Sequence, residues 1–194
     1  MKRSILVPLV VLYAGCGGDD APPPAKPRSV GVHILDGKLT IDGRRVHLPC
    51  RRADFESLIG KPSRQQTFAA EGKQAPVNVH TWDDLGLYAH ERPGRNLVTQ
   101  LSFVLDRREK TVNPSELDQI WPAKNYGGPV VLEFAEIKRD TTPEALNAEL
   151  KDQPLVKSER FPFTWTADSR DLRVKVLTQN GGTSILEVSV GSGD

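Results

Sequence analysis

Cysteine, methionine and aromatic residues are scarce in this 194-residue chain: two Cys, one Met, and 6% Phe, Trp and Tyr together. Two cysteines exclude a disulfide-dense scaffold and a multi-cysteine zinc module. Net charge of one sign is also missing. The chain carries 26 Lys and Arg against 25 Asp and Glu, a formal +1. No long-range field favours nucleic acid, and no nucleic-acid partner is expected. No helix-length apolar run occurs either. The longest apolar stretch, Ile5 to Ala14, is broken by Pro8 and falls short of the roughly 20 residues a spanning helix needs. No P-loop, Gly-x-Ser-x-Gly, His-Glu-x-x-His or Cys-x-x-Cys pattern is present, so the positive signals of those chemistries are gone. The chain is read as non-enzymatic and without a cofactor, with a hydrolase built from dispersed residues as the remotest alternative. What remains is 38% hydrophobic and 26% charged residues, enough to bury a core in one domain or two small ones.

The N-terminus reads MKRSILVPLVVLYAGCGGDD. Lys2 and Arg3 form a basic n-region, and the apolar stretch after them fits a signal-peptide core. Ala14-Gly15-Cys16 then resembles the bacterial lipoprotein signal, with Tyr13 where that family usually has Leu and Leu12 beside it. The resemblance implies that residues 1–15 are removed and that Cys16 carries acyl chains, palmitate among them. Two or more chains on one residue anchor stably, where one is marginal. Residues 16–29, rich in Pro and Gly, form a semi-rigid tether. The implied address is the cell envelope, facing the periplasm or the cell surface. Gly17 after the cysteine, by resemblance to the enteric sorting rule, points to the outer membrane. Losing residues 1–15 removes two bases and no acid, leaving 24 against 25, a formal −1.

Beyond the tether, two Asp-Gly pairs at 36–37 and 42–43 sit between β-type runs, a strong hairpin signal. Strands are expected near 30–35, 38–42 and 44–48. RRADFESLIGKP then places Phe55, Leu58 and Ile59 at helical spacing, with Gly60 and Pro62 as stops. VNVHTW, LGLYAHE and LVTQLSFVL read as three antiparallel strands. A shift of 91 residues carries Gly37 to Gly128, Ile41 to Leu132, Phe55 to Leu146 and Ile59 to Leu150. A shift of 83 carries Trp82 to Trp165. An ancient duplication follows: copy 1 over 30–111, a linker with a helical turn capped by Asn113 over 112–127, and copy 2 over 128–194. The second helix is expected to start with Thr142 as N-cap and Pro143 at its first position. The fold class expected is α+β, a duplicated unit of antiparallel sheet covered by one short helix.

A helix ending Leu-Ile-Gly-Lys-Pro, then a strand with Trp, resembles the small lipoprotein of the outer-membrane β-barrel assembly machine. The tandem arrangement is similar to the β-lactamase inhibitor protein. LTIDGRRVHLP, LIGKP and TWDDLGLYAH, over about residues 37–106, are similar to a family of uncharacterised bacterial secreted and lipid-anchored domains with a W-D-D-L-G-[IL]-Y signature. That family brings no assigned activity. The first two imply protein binding rather than catalysis, and the strands before the helix depart from the assembly lipoprotein, so its partner is not carried over.

HTWDDLGLYAH, residues 80–90, holds the most suggestive polar cluster. A three-residue turn over Asp84-Leu85-Gly86 would set His80 opposite His90 on one face, with Trp82 and Tyr88. Two cross-strand imidazoles are half a zinc site. His80 and His90 are therefore the metal or small-ligand candidates, and the plainer reading has the aspartates accepting turn N–H groups. Arg44, Arg45, Arg51 and Arg52 lie within nine residues and could meet a phosphate, a polysaccharide or an acidic partner. The opposing expectation is neutralisation by Asp42, Asp54 and Glu56. With Cys16 acylated, Cys50 has no disulfide partner. Its place before a helix and beside two arginines would favour a thiolate, whereas burial would leave it inert. The leading expectation is a lipid-anchored envelope protein that binds another envelope protein, as assembly factor, inhibitor or immunity factor. Trp82, Tyr88, Arg51 and Arg52 are its candidate contacts, since such residues dominate interface energetics.

Overall fold

A computed structural model describes residues 30–69, 76–107, 119–150, 153–169, 171–179 and 181–191. The expected signal peptide, Cys16, the expected tether and the expected cap Asn113 lie outside them. Both Asp-Gly pairs take the left-handed conformation, with φ of 50° and 68° at Asp36-Gly37 and 49° and 73° at Asp42-Gly43. They close two-residue turns whose twist matches the flanking strands. These turns join β1 (Val32–Leu35), β2 (Lys38–Ile41) and β3 (Arg44–Val46). Alternation sends Val32, Ile34, Leu39, Ile41 and Val46 into the core. A short β4 (Cys50–Arg51) leads into α1 (Arg52–Ile59), which buries Phe55 and ends where the Gly60 amide meets the Glu56 carbonyl at 2.8 Å.

A meander follows: β5 (Arg64–Phe68), β6 (Val77–Trp82), β7 (Leu87–Arg92) and β8 (Leu97–Val104). The second half repeats this plan with β9 (Val130–Leu132), β10 (Ala135–Glu136), α2 (Pro143–Glu149), β11 (Val156–Lys157), β12 (Thr164–Ser169), β13 (Leu172–Gln179) and β14 (Gly182–Val190). The Thr142 hydroxyl accepts the Ala145 amide at 3.1 Å and Pro143 opens α2. The large sheet runs β11-β12-β13-β14-β8-β7-β6-β5, antiparallel throughout, with β4 beside β8. The small sheet runs β10-β9-β1-β2-β3, and only its β1–β9 contact is parallel. Each order reads the same from both ends: meander meets meander at β8 and β14, and the two hairpins flank β1. Trp82 ends β6, whereas Trp165 is the second residue of β12, so the two tryptophans do not hold matching positions.

The expected α+β class is corrected by these elements, which make a mostly β protein. Among the described residues, fourteen strands stand against two complete helices of eight and seven residues. The cause is what covers the large sheet. Val32, Ile34, Leu39 and Ile41 of the small sheet share one buried cluster with Leu101, Val174, Leu186 and Val188 of the large one. A second sheet therefore does the covering expected of a helix, and each helix plugs an end with one or two buried side chains. Of the strands the sequence hid, β5 and β11 are the outermost of the large sheet. Their polar or exposed residues give no period-2 signal. The opposite face of the large sheet has its own smaller cluster, in which Val79, Tyr88, Val104 and Ile185 pack with Ile120 and Trp121.

Gly86 sits where the β6–β7 turn meets residues 125–126. Its φ is 74°, and a Cβ there would lie 2.2 Å from the Tyr126 amide nitrogen. Gly94, at φ 81°, has open space instead. Gly86→Ala is expected to cost at least about 3 kcal/mol and Gly94→Ala about 1 kcal/mol, read as denaturation midpoints. Equal costs would show that the turn does not press against Tyr126.

Candidate functional site

The histidine hairpin takes the other parity. Trp82 pairs with Leu87 and His80 with Ala89, so Asp83 to Gly86 form a four-residue turn and not the three-residue one. Directly paired residues share a face, which puts His80 on the core side with Trp82 and Leu87, and His90 on the other side with Val79. The two imidazoles do not converge on a common ion. Among the described residues, no three His, Cys, Asp or Glu side chains form a metal-sized group.

The same parity brings Glu91 to His80: Nε2 lies 2.9 Å from Glu91 Oε2. Asn78 Nδ2 donates to Glu91 Oε1 at 3.1 Å, and Arg52 Nη1 lies 3.6 Å from Oε2. A His–Glu pair can move protons, but these side chains are 0% and 1% exposed, out of reach of a substrate. They tie α1 to β6 and β7. His90 stacks on Tyr88, ring centroids 5.6 Å apart, and its Nε2 is buried without a hydrogen-bond partner. Burial, and then the charge of Lys175, hold its pKa down at about 4. Burial, then Glu187, raises the Tyr88 hydroxyl.

The aspartates of the tip do not cap their own turn. The turn amides of Leu85 and Gly86 go to the Trp82 carbonyl. Asp83 holds Arg64 through two bonds of 3.0 and 3.1 Å and accepts the Ala123 amide at 2.8 Å. Asp84 pairs with Lys124 at 2.7 Å. Arg64 also donates to the carbonyls of Gln119 and Trp121. The Asp-Asp-Leu-Gly turn is thus a clasp for residues 119–126, which carry the chain towards its second half. Trp82 backs it from inside: 3% exposed, edge-on to Phe55 at 5.4 Å, with its indole N–H on the Gly60 carbonyl at 2.9 Å. Tyr88 is 4% exposed. Both leave the list of candidate contacts, because neither presents surface to a partner.

The arginines divide. Arg52 is neutralised as expected, with Glu56 at 3.3 Å and with Glu91. Arg44, Arg45 and Arg51 are exposed, and none forms an ion pair among the described residues. Asp42 is spent on the Gly31 amide at 2.8 Å. All three free arginines line one open cleft of about 560 Å³ between β3 and α1. Among the described residues Asp54 is the single carboxylate on its wall, and Pro49, Leu58 and Leu97 give it an apolar floor above the buried Val46 and Phe55. His47, Cys50 and Ser57 complete the lining. Burial, then Asp54, push the Cys50 thiol up to about 11, the reverse of what its neighbouring arginines suggested in sequence. The run of arginines was legible in sequence; the apolar floor was not, since Leu97 arrives from β8.

The architecture defines a two-sheet β protein with a charged cleft at one corner. The chain belongs to a family described as a domain of unknown function (DUF7738), whose model matches residues 31–147. The match contains the cleft, α1 and the Asp-Asp-Leu-Gly clasp. No curated protein and no solved structure matches the chain.

An unfolded histidine takes its proton near pH 6.5, and folded His90 only near 4. Unfolding therefore gains as pH falls between these values, by up to about 3 kcal/mol from this residue. His90→Gln should flatten that part of the stability–pH curve; parallel curves for the two proteins would refute the assignment. Cys50 should react with iodoacetamide at pH 8 about a hundredfold more slowly than an ordinary thiol. Alkylation at the ordinary rate would mean that the thiol is not held neutral.

Proposed function

We propose that this chain is a non-catalytic binding module of the bacterial cell envelope, anchored by lipid on Cys16 and facing the periplasm or the cell surface. Its partner is another envelope protein with an acidic patch, and its contact surface is the β3–α1 cleft. One observation carries the reading. Arg44, Arg45 and Arg51 are exposed, free of ion pairs among the described residues, and gathered beside an apolar floor. Guanidinium forks next to desolvated apolar surface are what binding hot spots are made of. An unpaired surface arginine costs the fold nothing and gains most when a partner supplies the carboxylate. The lipoprotein-like N-terminus supports the address, and Gly17 the outer membrane. The matching strand orders of the two halves support descent by duplication. Of the two halves, the first carries the arginines, and the second completes the core beneath them.

Two measurements test this. Labelled palmitate should enter the wild-type protein and not Cys16→Ser, which should leave the membrane fraction; an unlabelled wild type removes the anchor. A photo-crosslinking residue at Ser57, on the cleft wall, should capture one dominant envelope protein. The triple variant Arg44→Ala, Arg45→Ala, Arg51→Ala should lower that yield at least about tenfold, the equivalent of losing 1.4 kcal/mol. Capture that survives the triple variant sinks the cleft as the contact surface.

A further inference from the structure

The cleft has a feature beyond its charge. One of its walls is the free edge of a sheet. β3 is the last strand of the small sheet. Its three residues, Arg44 to Val46, and His47 just after it line the cleft, facing Asp54, Phe55, Ser57 and Leu58 of α1. Consecutive lining residues mean that the strand is presented edge-on, since successive side chains point to opposite faces. Among the described residues, the outer edge of β3 takes no backbone hydrogen bond beyond its ladder with β2. An edge strand and a helix bordering one groove is the geometry in which an extended peptide adds itself to a sheet, main chain to main chain.

The charges select the occupant. An arginine-rich edge repels a second copy of itself, which is how edge strands avoid self-association. The same guanidiniums attract an acidic strand. We infer that the cleft accepts an extended acidic segment of the partner protein, which pairs with β3 as a sixth strand of the small sheet. Carboxylates of the segment meet Arg44, Arg45 and Arg51, and alternate apolar side chains lie on Leu58 and Leu97. About four residues of the segment, some 13 Å of strand, fit along 44–47 at 3.3 Å per residue. This inference rests on the cleft being the contact surface, and it adds the partner's conformation and charge.

The test uses the full-length chain in maltoside micelles and three synthetic hexapeptides. One alternates Val and Glu, one alternates Val and Lys, and one is the Val/Glu peptide with every second amide N-methylated. The Val/Glu peptide should bind saturably and slow amide exchange within β3. The Lys and N-methylated peptides should each bind at least about tenfold more weakly, as should the Val/Glu peptide to Arg44→Gln, Arg45→Gln, Arg51→Gln. The N-methylated peptide makes its comparison on unaltered protein, so the result does not hang on a variant's folding. Equal binding of the N-methylated peptide, or no saturable binding of the Val/Glu peptide, overturns strand addition. If cross-linking at Ser57 still captures an arginine-dependent partner in that event, the binding-module reading stands and only the strand mode falls.

Discussion

The antiparallel pairing of β8 with β14 is the constraint on which the rest of this structure depends. Five residue pairs, from Val104 with Ile185 to Gln100 with Ser189, turn two four-stranded meanders into one sheet. Without the seam, each meander would expose a long, apolar edge strand, a liability for aggregation. With it, Leu101, Phe103, Leu186 and Val188 form the floor on which the small sheet rests, and all four are fully buried. The small sheet is built around the same centre. β1 lies between the two hairpins, antiparallel to β2 and parallel to β9. Like the short β4 it has no counterpart in the other half, and it links the hairpins as the β8–β14 seam links the meanders.

Holding two halves together also requires control of the chain between them. The Asp-Asp-Leu-Gly turn supplies it. Asp83 gathers Arg64 and the Ala123 amide, and the Lys124 amide returns to the Asp83 carbonyl at 3.1 Å. Gly86 leaves room for the backbone of residues 125–126. The Tyr126 hydroxyl then donates to the Val30 carbonyl, at the entrance to β1. The conspicuous Asp-Asp stretch thus has an architectural role. Its carboxylates are engaged by positive and N–H groups of the same chain, which leaves little for a ligand. The arginines at the β3–α1 corner are the opposite case, charged groups that the fold presents and does not use.

Much of the first half was legible because its signals are local. Asp36-Gly37 and Asp42-Gly43 adopt the conformations their residue types favour, and Phe55, Leu58 and Ile59 mark a helix by spacing alone. Thr142 and Pro143 mark the start of α2 in the same way. The β6–β7 turn was misread because one residue of loop length reverses every side chain. Gly86 argued for a three-residue turn, and its left-handed φ is real, but the close approach of Tyr126 makes four residues the fit. That one step moved His90 away from His80 and brought Glu91 in. Cys50 takes the inert alternative of the two that its sequence position offered, since burial outweighs the exposed arginines beside it.

The sequence by itself determined the two Asp-Gly hairpins, the end of α1, the start of α2 and the cluster of arginines, all of which are written within a few residues. Tertiary structure alone decided that a second sheet and not a helix covers the core, that the histidines part, and that three of four arginines stay free beside an apolar floor. Those outcomes depend on which strand lies next to which, and on what is buried there. Pairings such as β8 with β14 and β4 with β8 join residues far apart in the chain, where local propensity carries no information.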